Sequence, residues 1–316
     1  MTCITKRNIA PAGETAALCP YSYFLLSQYA CLLHDAEMDE SSIRASVFFA
    51  VFAMMVVAEG LAPRRRLRFG YRRWPANLLI VLINSLLVRL LPVAGAGAVA
   101  QWAELHHFGL FHLMAWPPAI ALVCAVVLLD LAIYAQHRLF HAVPVLWRLH
   151  QVHHADRDID VTTGLRFHPF EILLSMLIKM AVVALLGASV PAVLLFEVIL
   201  NGMAMFNHAN FRLPVRADAV VRRLFVTPDM HRVHHSVIRR ETNSNYGFNL
   251  SLWDRLFATY HAQPEAGHDA MTIGLAHLQS APTHSLTYML CLPFSGEIGQ
   301  YPSLRGKSRL RERDDV

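Results

Sequence analysis

Four long apolar stretches limit what this chain can fold into. Residues 43–62 are apolar apart from Arg44 near one end and Glu59 near the other. Residues 78–100 carry one charge, Arg89. Residues 113–129 hold Pro117-Pro118 near the start and stop at Asp130. Residues 172–206 are interrupted by Lys179, Gly187, Pro191 and Glu197. About 20 apolar residues suffice to cross a bilayer as a helix. The first three stretches therefore predict one span each. The fourth is too long for one crossing and predicts a hairpin turning near residues 187–191. Composition agrees: 55% hydrophobic, 16% charged, with mean hydropathy +0.36, too apolar for an ordinary soluble domain.

Charge orients the spans. A basic stretch with Arg64, Arg65, Arg66, Arg68, Arg72 and Arg73 follows the first, and residues 101–112 hold no Lys or Arg. The positive-inside rule puts the 64–73 loop in the cytoplasm and the 101–112 segment on the other side. The third span then returns to the cytoplasm, and the hairpin leaves from that side and comes back to it. The net charge of +5 lies beside apolar runs, not in a stripe among exposed aromatics, so a nucleic-acid partner is not expected.

That topology gathers the histidines. His150, His153 and His154 form one H-x-x-H-H pattern, and His231, His234 and His235 form a second. With 18 His in 316 residues, chance gives about 0.06 copies per chain, and two are present. His137 and His141 precede the first copy. On a helix, spacings of three and four share a face, so each cluster aims its imidazoles, the commonest side-chain metal ligands, at one place. Pro144 suits a turn between the first two clusters. All three fall on the cytoplasmic side, just beyond the hydrocarbon. The predicted fold is all-α: a polytopic integral membrane helical bundle with a cytoplasmic, histidine-rich di-metal cap.

Eight histidines exceed one four-ligand zinc site and suit two ions. His208, at the return of the hairpin, is a ninth candidate. His168 is a ligand, a partner to one, or a capped helix start. Among carboxylates that accept a ligand's free ring N–H, Asp130 stands first, then Glu171 and Asp229. Tyr134 is a hydrogen-bond donor near the site or a packing residue. His106, His107 and His112 fall on the opposite side and are excluded. His34, His261, His268, His277 and His284 are isolated. Nitrogen ligands alone do not choose among iron, zinc and copper. The five cysteines show no C-x-x-C or regular spacing, so no disulfide framework or zinc ribbon is indicated. Gly95-Ala-Gly97-Ala-Val-Ala100 loosely fits a dinucleotide fingerprint but lacks its strand-turn-helix setting. It reads as small-residue packing or a turn.

Residues 1–42 read as an N-terminal extension. No signal peptide stands out, and a start at Met38 would leave a short polar lead. Residues 43–206 hold the spans and the first two histidine clusters. Residues 207–304 form a cytoplasmic cap with the last cluster, and 305–316 a basic disordered tail.

Several segments resemble the fatty acid hydroxylase/sterol desaturase superfamily, in that family's order. They run from Asp130 through Tyr134, His137 and His141, then from Trp147 through His150, His153 and His154. Asn207-His208-Ala-Asn210, Pro228-Asp-Met-His231-Arg-Val-His234-His235, Asn245-Tyr246-Gly247 and Trp253-Asp254 to Thr259 follow. Ala258 departs from the more usual Gly. The likeness is greatest to the bacterial sterol-desaturase-like branch, with the alkylglycerol monooxygenase type a relative. The resemblance implies that the eight cluster histidines are catalytic and hold two irons (Fe2+), with dioxygen as oxidant. It implies hydroxylation or desaturation of a C–H bond in a lipid: a sterol, fatty acyl or ether lipid. No fused haem-domain signature or iron–sulfur cysteine set appears, so a separate reductase or carrier is expected to supply electrons; a pterin is compatible. The expected location is a bacterial inner membrane. The alternatives are a catalytically silent metal-binding scaffold and a metal transporter. A transporter needs ionisable residues along a path through the spans. Here the histidines lie at one face.

Overall fold

In the computed structural model, prolines and glycines mark where the apolar stretches become separate helices. The structure describes residues 20–90, 95–296 and 298–301, with side chains from residue 40 onward. The first 19 residues of the expected extension and the basic tail from Arg305 lie outside the described residues. The chain divides into two units, residues 1–45 and 46–316. Helix α1, Pro20–Leu61, begins within the stretch read as an N-terminal extension. In the first unit Arg44 pairs with Glu40 at 3.1 Å.

In the second unit α2 covers Trp74–Leu90, α3 Ala96–Leu105, α4 Pro118–Ala142 and α5 Pro144–His154. The hairpin is α6, Pro169–Leu186, and α7, Val190–His208. Proline sits in the first turn of α4, α5, α6 and α7, where its missing N–H costs no helical bond. Among the described residues, five helices are long and apolar enough to cross a membrane: Glu40–Leu61, Gly70–Leu90, Pro118–Ala142, Pro169–Leu186 and Val190–His208. The chain is an integral membrane protein. Among the described residues there are isolated β-bridges and no strands.

The apolar run 78–100 is not one helix, as expected, but α2 and α3. The second half packs against the hairpin: Ala96 and Ala100 are buried with Ala125, Val183, Ala188 and Ala192. Small side chains let helices approach closely, and this is the role of the glycine- and alanine-rich stretch.

The hairpin turns where expected. Gly187 caps α6 with φ +64°. A Cβ there would lie 2.5 Å from the Phe108 carbonyl oxygen and 2.6 Å from the His112 ring. The 106–112 segment therefore sits at the turn. The other ends of α6 and α7 lie about 27 Å away at 1.5 Å per residue. His168 and His208 are at those ends, so His106, His107 and His112 are remote from them.

Short helices follow: α8, Val215–Val221; α9, Pro228–His234; α10, Arg239–Thr242; and α11, Leu252–Leu256. Polar contacts, most of them part-buried, tie the residues beside the spans together. The Glu59 carboxylate accepts from the backbone N–H of Val161 and of Asn210, both at 2.7 Å. Arg64 bonds Asp229 at 3.1 Å and Asp269 at 2.5 Å, and Arg65 donates to the Met271 carbonyl at 2.8 Å. Arg73, read as one more topology charge, is buried against Asp156, Asp158 and Asp160. The basic loop is thus partly internal, and these three aspartates fix the segment directly after α5.

Candidate metal centre

α4 ends at Ala142, and Val143 alone separates it from Pro144. A residue preceding proline is pushed out of the helical region, and Val143 takes φ −94°, ψ 119°. The chain breaks there and restarts as α5, which swings back so that its histidines face those at the end of α4. His208 closes α7, and His231 and His234 come from α9, with His235 directly after it; the first turn of α9 is capped by the Thr227 hydroxyl at 3.4 Å from Met230 N.

The structure brings nine buried histidines into two groups. His137, His141, His150, His154 and His234 form one; His153, His208, His231 and His235 form the other. Within each group the nitrogens facing inward lie within 4.8 Å of one another. All eight cluster histidines and His208 are included. His261, His268, His277 and His284 are in neither group.

Hydrogen bonds define the outward nitrogens. The Nδ1 of His137 donates to the Tyr246 carbonyl at 2.9 Å, that of His234 to the Ser244 carbonyl at 2.7 Å, and that of His208 to the Ala204 carbonyl at 2.7 Å. His150 Nδ1 donates to Glu171 Oε1 at 2.6 Å, and His141 Nδ1 to Asn243 Oδ1 at 3.2 Å. A neutral imidazole that donates from one nitrogen has only a lone pair on the other. The inward Nε2 atoms are therefore bare, yet they crowd together. His137 Nε2 is 3.1 Å from His150 Nε2 and 3.0 Å from His234 Nε2. Lone pairs at that distance repel, and a cation among them turns repulsion into coordination. His235, buried with neither ring nitrogen partnered, points the same way. The donor set fits two metal ions, one per group.

Electrostatics keeps these histidines neutral. Burial pushes His150 down to about 3. Burial, reinforced by neighbouring histidines, holds His153, His154, His231, His234 and His235 well below the usual imidazole value. Neutral imidazole is the form that binds metal.

The predicted supporting residues divide. Glu171 does accept a ring N–H, from His150. Asp130 does not. It lies seven residues before His137, on the same face but about 10 Å lower along the helix. Its carboxylate accepts from Trp253 Nε1 at 2.8 Å, Leu250 N at 3.1 Å and Asn249 N at 3.3 Å. Asp229 pairs with Arg64 and Arg232, with no bond to a grouped histidine. His168 caps α6, accepting from Phe170 N at 3.2 Å, so the helix-start alternative is the one seen. The Tyr134 hydroxyl bonds Thr259 Oγ1 at 2.9 Å, and its ring packs edge-on against Tyr246.

Sequence reasoning missed the acceptors on residues 243–246. Their placement explains Asn245-Tyr246-Gly247 and Asp254. Asp254 accepts from Tyr246 N and Gly247 N, both at 2.8 Å. A Cβ at Gly247 would lie 2.6 Å from that carboxylate. Asn245, at φ 50°, donates to the Met230 and His261 carbonyls at 2.9 and 2.8 Å. This loop aims the Tyr246 carbonyl at His137 and lays the Tyr246 ring 5.1–5.7 Å from those of His137, His141 and His234.

Known proteins share this region. Residues 122–259 match the family model described as Fatty acid hydroxylase. Ornithine lipid hydroxylase OlsE of Rhizobium tropici is 34% identical over 149 residues, 47% of this chain and 44% of that protein. Alkylglycerol monooxygenase of Homo sapiens is 29% identical over 153 residues, 47% of this chain and 31% of its own length. Cholesterol 25-hydroxylase of Rattus norvegicus is 26% identical over 147 residues, 46% of this chain and 48% of its own. The chain spans less than half the length of each of these relatives. No solved structure matches it. The matched residues 122–259 contain all nine grouped histidines, so it is the histidine-bearing part of the chain that is similar to the fatty acid hydroxylase family.

Proposed function

We propose that the chain is a membrane-bound, non-haem di-iron oxidoreductase that hydroxylates a C–H bond of a lipid with dioxygen. The observation that carries this reading is the pair of buried groups of bare imidazole nitrogens. Hydroxylation is preferred to desaturation because the similar proteins are named hydroxylases and monooxygenases. The nitrogen donors alone suit iron, zinc or copper, and the oxygenase names favour iron.

When bound, two irons would supply the redox chemistry that splits dioxygen between the lipid's new hydroxyl group and water. The balance needs two electrons and two protons from outside the site, so the reading includes a separate reductase or electron carrier. The chain's own residues have narrower tasks. Glu171 and the carbonyls of Ala204, Ser244 and Tyr246 orient the imidazoles. Burial keeps them unprotonated and shields the centre from water.

The cytoplasmic cap belongs to the same proposal. It is supported by the 64–73 loop, whose Arg64 and Arg65 bond the segment that carries the last histidine cluster. A bacterial inner membrane is the proposed location. The test is to supply labelled dioxygen to cells with and without the chain and profile their lipids. A lipid that gains one labelled oxygen only when the chain is present supports the reading. No such lipid, in cells where the purified chain carries iron, overturns it.

A further inference from the structure

The outer face of α4 carries a groove of about 300 Å³ whose walls include Leu131, Tyr134, Arg138, Leu139, Ala142 and Phe257. Residues 131, 134, 138 and 142 repeat at intervals of three and four, so they form one stripe. It is about 16 Å long at 1.5 Å per residue. Phe257 forms the opposite wall, stacked on Tyr134 with ring centroids 5.3 Å apart. It is held at this depth because Asp130 anchors residues 249, 250 and 253 to α4.

The groove opens on apolar surface. Leu139 is 47% exposed and Phe257 43%, and on α11 Leu252 is 45% and Leu256 65% exposed. The lipid-facing side of a spanning helix thus continues onto the cap. Apart from the Tyr134 hydroxyl, Arg138 is the one polar side chain in the lining. It is exposed, four residues before the end of its span, and no carboxylate among the described residues pairs with it. A cation at that level faces lipid headgroups. Behind the groove lies the metal centre. Tyr134 meets Tyr246 edge-on at 6.3 Å, and Tyr246 meets His137 at 5.7 Å.

We propose that this groove binds an anionic membrane lipid, an acyl chain along α4 and the phosphate or carboxylate at Arg138, and that the lipid held there is the substrate. The second half rests on the lipid-oxidation reading; the first does not. Both walls are needed, since α4 alone is a convex surface and Phe257 makes it a slot. The commitment to an anionic headgroup comes from a guanidinium that has no carboxylate partner among the described residues and stands at the headgroup end of an otherwise apolar channel.

The full chain is placed in phosphatidylcholine vesicles containing spin-labelled phosphatidylglycerol or spin-labelled phosphatidylcholine, and the immobilised fraction is read by electron spin resonance. The wild type should retain phosphatidylglycerol in preference to phosphatidylcholine. Arg138→Gln should weaken that preference about fivefold at one site, as expected for one basic residue at a membrane surface, while Arg138→Lys keeps most of it. Ala135 also lines the groove, and Ala135→Trp, which fills it without changing charge, should release both lipids from the site. Unchanged metal content shows that each variant is folded. Equal retention by wild type, Arg138→Gln and Ala135→Trp overturns the proposal. With labelled dioxygen, Arg138→Gln should raise KM for an anionic lipid and leave kcat nearly unchanged. Unaltered KM in both variants overturns the substrate assignment. Retention that depends on Arg138, without labelled product from any lipid, keeps the binding site and rejects the oxidation reading.

Discussion

His150 donates its Nδ1 proton to Glu171 across 2.6 Å, and both side chains are buried. This bond joins α5 to the first turn of α6 and fixes which nitrogen of His150 faces its neighbours. Losing such an outer partner commonly lowers metal affinity about tenfold or more. Glu171→Ala is therefore expected to lose metal to a chelator at a concentration that leaves the wild type loaded. Glu171→Gln should recover part of the affinity, because its amide oxygen still accepts the ring proton. Equal metal retention by Glu171→Ala and the wild type contradicts this role.

The two histidine groups predict separable occupancy. His208 belongs only to the four-histidine group, and His141 only to the five-histidine group. His208→Ala and His141→Ala should each lower the metal content by about one ion per chain, since each set draws on different ligands. Both variants should abolish lipid oxidation. Metal analysis of purified protein checks the first statement, and labelled-oxygen product analysis the second. An unchanged metal count in His208→Ala would remove it from the ligand set.

Asp130 predicts a stability effect without direct loss of a ligand. Its carboxylate accepts from two backbone N–H groups and the Trp253 indole. Asp130→Ala leaves these donors unpaired at a buried position, at about 1–3 kcal/mol for each orphaned group. The variant should unfold several degrees below the wild type in detergent, while Trp253→Phe, which removes one donor, should cost less. Thermal unfolding followed by near-ultraviolet circular dichroism measures both. An Asp130→Ala transition at the wild-type temperature contradicts the docking role.

Acid should destabilise the metal-free chain. Burial lowers the pKa of His153, His154, His231, His234 and His235, and takes His150 from 6.5 to about 3. A group with a depressed native pKa adds no penalty above its unfolded value. Below it, the unfolded chain binds protons that the native chain refuses. Stability of the metal-free protein should therefore be level above about pH 6.5 and fall steadily below it. Unfolding temperatures across that range test the sign, and a rise in stability on acidification would refute it.

The spans were legible because hydropathy and proline placement are local. The hairpin appears in Gly187 and Pro191, and the restart of α5 in Pro144. The division of residues 78–100 into α2 and α3 was not, since apolar composition does not report where a helix breaks. The histidine groups were legible because spacings of three and four put imidazoles on one face, and the charge pattern brought distant clusters to one side. Most of the outer acceptors were not, because the Tyr246, Ser244 and Ala204 carbonyls carry no sequence signal. Asp130 was misassigned for a related reason. A seven-residue offset puts it on the face of His137 but two turns away, within reach of Trp253 instead. The three aspartates around Arg73 show the same limit, since their partner lies more than 80 residues earlier.

The central claim is that nine histidines hold two irons in one chain. The most direct measurement is the metal content of the full chain, purified from iron-replete cells and compared with the His141→Ala and His208→Ala variants. The account predicts about two irons per chain in the wild type, one for each histidine group, and about half of that in each variant. Less than one iron per wild-type chain, or two ions of zinc in its place, would contradict it.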